Sequence, residues 1–193
     1  MKRRTFDVLA STVGLFLAAV LLVAGGLLTW AHNFVGDQVH TQLSQQQIFF
    51  PPKGSPAIAA PEFAAMNKYA GQQLTTGAQA EADADHFIAN HLKAIGGGKT
   101  YAQLSTESNA NPADTKLAGT VATMFRGETL RGMLLNAYAF GTMGTIAGIA
   151  AIVSFISGAV LFVLGGLGLW HARRVPPTTE ILGGHRDRGL VDA

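Results

Sequence analysis

The chain has 193 residues, of which 48% are hydrophobic and only 13% are charged, and its formal net charge is +2. It contains no cysteine, which excludes disulfides, thiol catalysis and cysteine-ligated metal or iron–sulfur centres. The small excess of basic residues gives no indication of a nucleic-acid surface, because it is located at the two ends of the chain.

The first predicted element is an uncharged apolar stretch from Val8 to Trp30. Its 23 residues include no Asp, Glu, Lys, Arg or His, and as a helix they would extend about 34 Å, enough to cross a bilayer core. The basic residues 2–4 also resemble the start of a cleaved signal peptide, but the bulky Leu28 and Trp30 suit cleavage poorly. We therefore predict an uncleaved transmembrane helix over residues 8–30, after a cytoplasmic flank of residues 1–7.

Residues 31–147 are predicted to form an extracytoplasmic helical domain with a stalk. Ala31 to Ile48 lacks proline and is expected to continue the first helix as an amphipathic segment. The proline-rich segment 49–61 is expected to be extended and non-helical. Phe49 and Phe50 at its start are predicted to plug the helical bundle, and an exposed contact patch is the alternative.

The middle of this domain carries start and stop signals for two helices. The first is predicted to begin at a Thr75 or Thr76 cap and to run to Ile95, where three glycines at 96–98 end it. A shorter helix is predicted over Tyr101 to Glu107.

A further helix is predicted to begin with Asn111 as its cap and Pro112 as its first residue, and Asp114 adds an acid to the first turn. Leu117, Val121 and Phe125 recur every four residues and are expected to form the buried face of this helix. Glu128 and Arg131 are one turn apart and are expected to pair.

The second uncharged stretch, Gly132 to Trp170, has 39 residues, more than one crossing needs. Counting back from Trp170 predicts a second transmembrane helix over residues 148–170. The residues before it continue as a helix above the membrane or lie in its interface, and residues 171–193 form a polar cytoplasmic tail. Together these elements predict an all-α membrane protein, a two-helix transmembrane hairpin with an extracytoplasmic helical domain.

The orientation follows from the basic residues that flank the two stretches. Residues 2–4 precede the first, and His171, Arg173 and Arg174 follow the second, with Arg186 and Arg188 further along. The segment between the spans, residues 31–131, carries seven Lys or Arg against eight Asp or Glu. Because basic flanks favour the cytoplasmic side, both termini are predicted to be cytoplasmic at the plasma membrane.

Small residues recur at heptad spacing in both spans and predict a helix-packing seam. Glycine, alanine and serine let helix backbones approach closely in lipid, where packing drives association. The seam could join the two spans of one chain or two chains of a homo-oligomer. Its members are Ser11, Gly14, Ala18, Gly25, Gly144, Ala151, Gly158 and Gly165.

No arrangement of residues predicts catalysis, a resident metal or another cofactor. Asp83, His86 and His91 are the candidate ligand-binding residues, because acids and imidazoles there are close in sequence. A zinc helix places its two histidines four residues apart, whereas His86 and His91 are five apart, about 140° around an α-helix. We therefore predict no metal site at these residues.

Several stretches of the chain resemble a family of small two-span membrane proteins of actinobacteria. The resemblance lies in residues 69–77, 84–92, 97–101 and 127–138, and it implies the membrane class and the two-span topology. Members of that family are sometimes labelled aromatic ring-opening dioxygenases. Extradiol cleavage needs iron bound by two His and a carboxylate with open positions, and the residues of this chain do not supply a convincing set.

Two function hypotheses follow from the sequence. The first is an accessory or structural protein that packs against lipid and against a partner in a membrane or cell-envelope complex. The second is an enzyme or ligand receptor with its site in the extracytoplasmic domain. Transport is a weaker third hypothesis, because the spans carry no charged residue that could form an ion path.

Overall fold

The computed structural model describes residues 3–174 and Pro176. Over these residues the chain is all-helical, as predicted, and it carries no β-strand. It divides into two compact units: unit 1 is formed by the described parts of Met1–Trp30 and Ala147–Ala193, and unit 2 is Ala31–Ile146. The predicted cytoplasmic tail after Arg174, with Arg186 and Arg188, and Lys2 of the N-terminal flank lie outside the described residues, Pro176 excepted.

Two of the helices are much longer than the rest. Between the long helices lie two 3₁₀ segments and four shorter helical segments, one of which is a π-helix. In chain order the elements are α1 Arg3–Gln45, the 3₁₀ segments Pro56–Ile58 and Pro61–Tyr69, α2 Gly77–Ala82, the π-helix Asp83–Ile88, α3 Ala89–Ile95, α4 Tyr101–Ala110 and α5 Thr115–Arg174.

The two long helices are both long and apolar enough to cross a membrane. An 18-residue window reaches a mean hydropathy of 2.4 in α1 and 2.5 in α5. Stretches as apolar as these also occur in the core helices of soluble proteins, where they are mostly buried, and in signal sequences. Here only 17% of the α1 window and 11% of the α5 window are buried, so the apolar faces of both helices are largely uncovered.

Helix α1 ends slightly earlier than predicted, at Gln45 instead of Ile48. Gln47 adopts a positive φ of 53°, which no helix can continue. The chain then pairs locally: the Phe50 amide donates to the Gln72 carbonyl at 2.9 Å, and Phe49 forms an isolated antiparallel bridge with Gln73. As a result Phe50 is 3% exposed and plugs the core, whereas Phe49 is 61% exposed, so the plug prediction was wrong for Phe49.

The proline-rich segment is helical in part, which corrects the prediction that it is extended throughout. Short 3₁₀ segments begin at Pro56 and at Pro61. Proline suits the first position of a helix, because the amide it lacks would have no partner there. Ser55 caps the first of these segments by accepting the Ala57 amide at 3.3 Å.

The helical run from Gly77 to Ile95 begins at the predicted cap and ends at the predicted glycines. Thr76 and Gln79 form a reciprocal capping box, and Gly97 and Gly98 follow with positive φ. The π-helix in the middle of the run was not predicted, because hydrophobic spacing cannot distinguish one wide turn from regular α-helix.

Helix α5 begins at Thr115, so the prediction that it begins at Pro112 was wrong. Asp114, not Asn111, is its cap, accepting the Leu117 amide at 2.8 Å. Asn111 instead ends α4, where its amide bonds to the Glu107 carbonyl. The predicted buried position Phe125 is also wrong, since that side chain is 56% exposed and Met124 beside it is 2% exposed.

Unit 2 contains one hydrophobic core, to which every described helix of the unit contributes. Its largest fully buried side chains are Met66, Leu74, Met124 and Leu134. Because α1 and α5 both supply core residues, the long helices pack side by side in this unit with the shorter elements against them. The remaining core residues are Leu43, Phe50, Ile58, Ala80, Ala82, Ala84, Ile88, Leu92 and Leu104.

Candidate functional site

In unit 1 the small residues of the predicted seam lie where α1 and α5 approach each other. Ser11, Ala18 and Gly25 are buried on α1, and Ala151, Gly158 and Gly165 are buried on α5. A Cβ built on Gly158 would lie 3.1 Å from Leu22 Cδ2 and 3.3 Å from the Ala18 carbonyl oxygen. Such close backbone contact is possible only for glycine or a similarly small residue.

The contacts along this seam follow opposite chain order on the two helices. A Cβ on Gly25 would lie 3.0 Å from the Phe155 ring, and one on Gly165 would lie 2.8 Å from Leu15 Cγ. The N-terminal end of α1 and the C-terminal end of α5 therefore lie at the same end of unit 1. At that end Arg174 stacks over the Trp170 ring, with its guanidinium carbon 3.9 Å from the ring centroid.

Two members of the predicted seam have different surroundings. A Cβ on Gly14 would meet no atom within 4 Å, so Gly14 makes no close helix contact. Gly144 belongs to unit 2, where a Cβ would lie 3.1 Å from Val35 Cγ1 and 3.8 Å from the His32 carbonyl oxygen.

The candidate ligand-binding residues Asp83, His86 and His91 lie in or beside the π-helix. The angle predicted between the two histidines assumed regular α-helix, and that assumption was wrong over Asp83–Ile88. The three residues nevertheless differ in burial and in hydrogen bonding. Asp83 is 7% exposed, the backbone carbonyl of His86 accepts the Asn90 side-chain amide at 2.7 Å, and His91 is exposed.

The imidazole of His91 is held by its neighbours on the helix. Its Nδ1 lies 2.7 Å from the Phe87 carbonyl oxygen, and since a carbonyl can only accept, Nδ1 carries the proton. The ring packs against Phe87 and Phe63, with centroid distances of 4.3 and 5.8 Å. Within residues 3–174, no group of three or more His, Asp or Glu side chains is arranged to hold a metal ion.

Asp83 has a buried carboxyl whose pKa is raised. Burial raises its pKa from 3.8 to about 6, and the electrostatic effect of His91 lowers it by a smaller amount. A carboxylic acid that titrates near pH 6 is common at functional sites, but ion-pair networks also produce such shifts.

Arg131 of α5 fixes the π-helix through two contacts. Its Nη2 donates to Asp85 Oδ1 at 2.8 Å and its Nε donates to the Ala84 carbonyl at 3.3 Å. The predicted partner Glu128 is also present, but its Oε2 is 3.7 Å from Nη1. The stronger ion pair therefore joins two elements far apart in sequence, which helix spacing alone could not predict.

Unit 2 also contains a pocket of about 440 Å³ that sequence reasoning missed, and it is called the histidine pocket here because His32 and His40 line it. Its α1 wall includes His32, Gly36 and His40, and its α5 wall includes Tyr138 and Thr142. The spacing of four residues between His32, Gly36 and His40 places them on one helix face. This spacing could have predicted the α1 wall of the pocket from the sequence. The start of α2 forms the third wall, at residues 75–78.

An apolar groove of about 530 Å³ lies elsewhere between α1 and α5 in unit 2. Val35, Val39 and Leu134 form part of its lining, and Met133 and Phe140 at its edge are 62% and 54% exposed. Large apolar side chains that remain exposed beside a groove often mark a contact surface.

Comparison with known proteins identifies no relative: no family model, no curated protein and no solved structure matches this chain.

Proposed function

We propose that the chain is an integral membrane protein in which unit 1 is a transmembrane hairpin and unit 2 an extracytoplasmic domain. The observation that carries this proposal is the exposure of apolar side chains on both long helices. Phe16 and Val23 of α1 are 67% and 65% exposed, and Ile152 and Phe162 of α5 are 61% and 60% exposed. Lipid contact removes the cost of leaving such side chains in water.

The distribution of charges in unit 1 supports the orientation with cytoplasmic termini. Arg3 and Arg4 of α1 and Arg173 and Arg174 of α5 lie at the same end of the unit, because the helices contact each other in opposite chain order. Basic residues concentrated at one end of a hairpin favour the cytoplasmic side for that end.

Membrane insertion and orientation are tested separately. Alkaline carbonate should leave the full chain in the membrane pellet, whereas a peripheral protein would be released. A periplasmically active reporter should work when inserted after Gly98 and stay silent when fused to Ala193. Release by carbonate would reject insertion, and the reverse reporter pattern would reject the orientation.

The role that we propose for this protein is accessory or structural, as a component of a membrane or cell-envelope complex. It is supported by the exposed Met133 and Phe140 beside the apolar groove in unit 2. Replacing both by glutamine should abolish co-purification of a stoichiometric partner in mild detergent. The same replacement at Ile95, which is 47% exposed in unit 2 and does not line the groove, should leave partner recovery unchanged. Equal recovery from both variants would contradict a partner role for the groove.

A ligand receptor is the alternative function, and the histidine pocket of unit 2 favours it. Its volume of about 440 Å³ is in the range of small-molecule sites. In this alternative, the pocket would take the place of the predicted site at Asp83, His86 and His91.

A further inference from the structure

The histidine pocket of unit 2 has one histidine in a fixed orientation. His32 Nδ1 lies 2.7 Å from the Gly144 carbonyl oxygen. Because a carbonyl can only accept, Nδ1 is the protonated nitrogen, and Nε2 is left for another partner. This arrangement, with one ring nitrogen bound to the backbone, positions the second nitrogen for ligand contact.

The charges around the pocket limit the kind of ligand that it can hold. None of the described residues that line it is Asp, Glu, Lys or Arg. A cationic ligand would therefore find no carboxylate, whereas an anion would meet no repelling charge. An oxyanion can accept hydrogen bonds from His40 and from the hydroxyls of the lining, and a P–OH group can donate to His32 Nε2. Hydrogen bonds to an ionised acceptor are about twice as strong as neutral ones.

The donors stand on two facing helices, which favours one anion shape. His40, a donor, and His32 Nε2, an acceptor, belong to α1, and the hydroxyls of Tyr138 and Thr142 belong to α5. A tetrahedral phosphate presents oxygens in several directions, whereas a planar carboxylate presents two. Donors on opposite walls are therefore better matched by phosphate.

We propose that this pocket binds a phosphate group, supplied either by a free phosphorylated small molecule or by the headgroup of a phospholipid. The lipid source rests on the proposed membrane insertion, because the α1 wall begins at His32, two residues after the predicted end of the first span. The free source does not depend on insertion. Loss of insertion in carbonate would thus remove the lipid source alone.

Gly36 provides a way to fill the pocket without disturbing its walls. A Cβ at position 36 would meet no atom within 4 Å, and a larger side chain would enter the open space. Gly26 offers a matched control on the same helix, because a Cβ there also meets nothing and Gly26 does not line the pocket. His40→Leu is a second variant, which removes an imidazole from the same wall.

The test uses the purified full chain and two probes. Inorganic phosphate binding is measured by calorimetry in detergent, and retention of phosphatidylglycerol against a galactolipid of equal chain length is measured by native mass spectrometry. Wild type and Gly26→Leu should bind at least one phosphate probe equally. Gly36→Leu and His40→Leu should bind it about tenfold or more weakly, because Gly36→Leu fills the space that the phosphate needs and His40→Leu loses a hydrogen bond to the ionised phosphate.

The pattern of binding identifies the source of the phosphate. If the variants lose binding of both inorganic phosphate and phosphatidylglycerol, the pocket is a general phosphate site. If they lose inorganic phosphate alone, the source is a free phosphorylated molecule, and if they lose phosphatidylglycerol alone, the source is a phospholipid. The proposal is overturned if wild type binds neither probe, or if both pocket variants bind like wild type. Helical circular dichroism confirms that each variant is folded, and if Gly36→Leu does not fold, His40→Leu decides.

Discussion

The imidazole of His32 donates a hydrogen bond across 2.7 Å to the backbone carbonyl of Gly144, 112 residues further along the chain. The carbonyl is within reach because Gly144 has no side chain: a Cβ there would lie 3.1 Å from Val35 Cγ1. Gly144 thus allows α1 and α5 to approach closely in unit 2, and this close approach brings the carbonyl within hydrogen-bond distance of His32.

Replacing Gly144 by leucine should separate the two helices and break the bond from His32. We expect the free energy of unfolding to fall by about 1–3 kcal/mol, the usual cost of overpacking. Thermal unfolding of the purified protein, followed by helical circular dichroism, measures the change. Gly132→Leu is the control, because a Cβ on Gly132 meets no atom within 4 Å. Equal melting of both variants would contradict the close approach at Gly144.

The seam of unit 1 should respond in the same way. Gly158→Leu would direct a side chain into Leu22, whereas Gly166→Leu would meet nothing within 4 Å. We expect Gly158→Leu to weaken the folded hairpin in lipid and Gly166→Leu to have little effect. Ile152→Leu, at a side chain that is 61% exposed, should also be tolerated. Resistance to unfolding in mixed lipid and detergent micelles compares the three variants.

The sequence predicted the parts of this fold that depend on repeated local signals. The long apolar helices follow from uncharged runs, and the start of α2 follows from threonine at positions 75 and 76, a residue type that caps helices. The errors arose where two signals compete within a few residues. Asn111 and Asp114 are both good caps, and Asp114 is the one that bonds to the helix. In the same way Met124 is buried and the adjacent Phe125 is exposed.

The candidate site was less predictable, because its walls come from distant parts of the chain. His32 and His40 share a helix face, but Tyr138 is about a hundred residues away, and single-sequence spacing does not place it. The π-helix at Asp83–Ile88 likewise has no signal in hydrophobic periodicity. The bond between Arg131 and Asp85 across it is a tertiary contact.

Metal analysis should find no stoichiometric iron or zinc in the purified protein. The histidine variants then have effects that packing alone explains. His86→Ala should change little, because only its backbone carbonyl is bonded, to Asn90. His91→Ala should cost about 1 kcal/mol of stability, the typical value of ring contacts such as those with Phe87 and Phe63. Stoichiometric iron that is lost in either variant together with catechol cleavage would restore the dioxygenase hypothesis.

The stability of unit 2 should depend on pH through Asp83. Burial raises the pKa of its carboxyl to about 6 from 3.8, so the folded state holds this proton more tightly than the unfolded chain does. Between these two values the folded state binds more protons, and stability must fall as pH rises. The contribution of Asp83 is therefore greatest below about pH 4, decreases up to about pH 6, and is constant above it.

The size of this effect is about 2 kcal/mol, since one pKa unit corresponds to about 1.4 kcal/mol and some contact with water remains. Asp83→Asn keeps the shape of the side chain without its charge. It should raise stability at pH 7.5 by about that amount and remove this part of the pH dependence. Asp85→Asn is the control, because it removes the charge of a different carboxylate, one that is 42% exposed and paired with Arg131. Carbon-13 NMR of the Asp83 carboxyl gives the midpoint directly, and a midpoint near 4 would show that burial does not affect the charge.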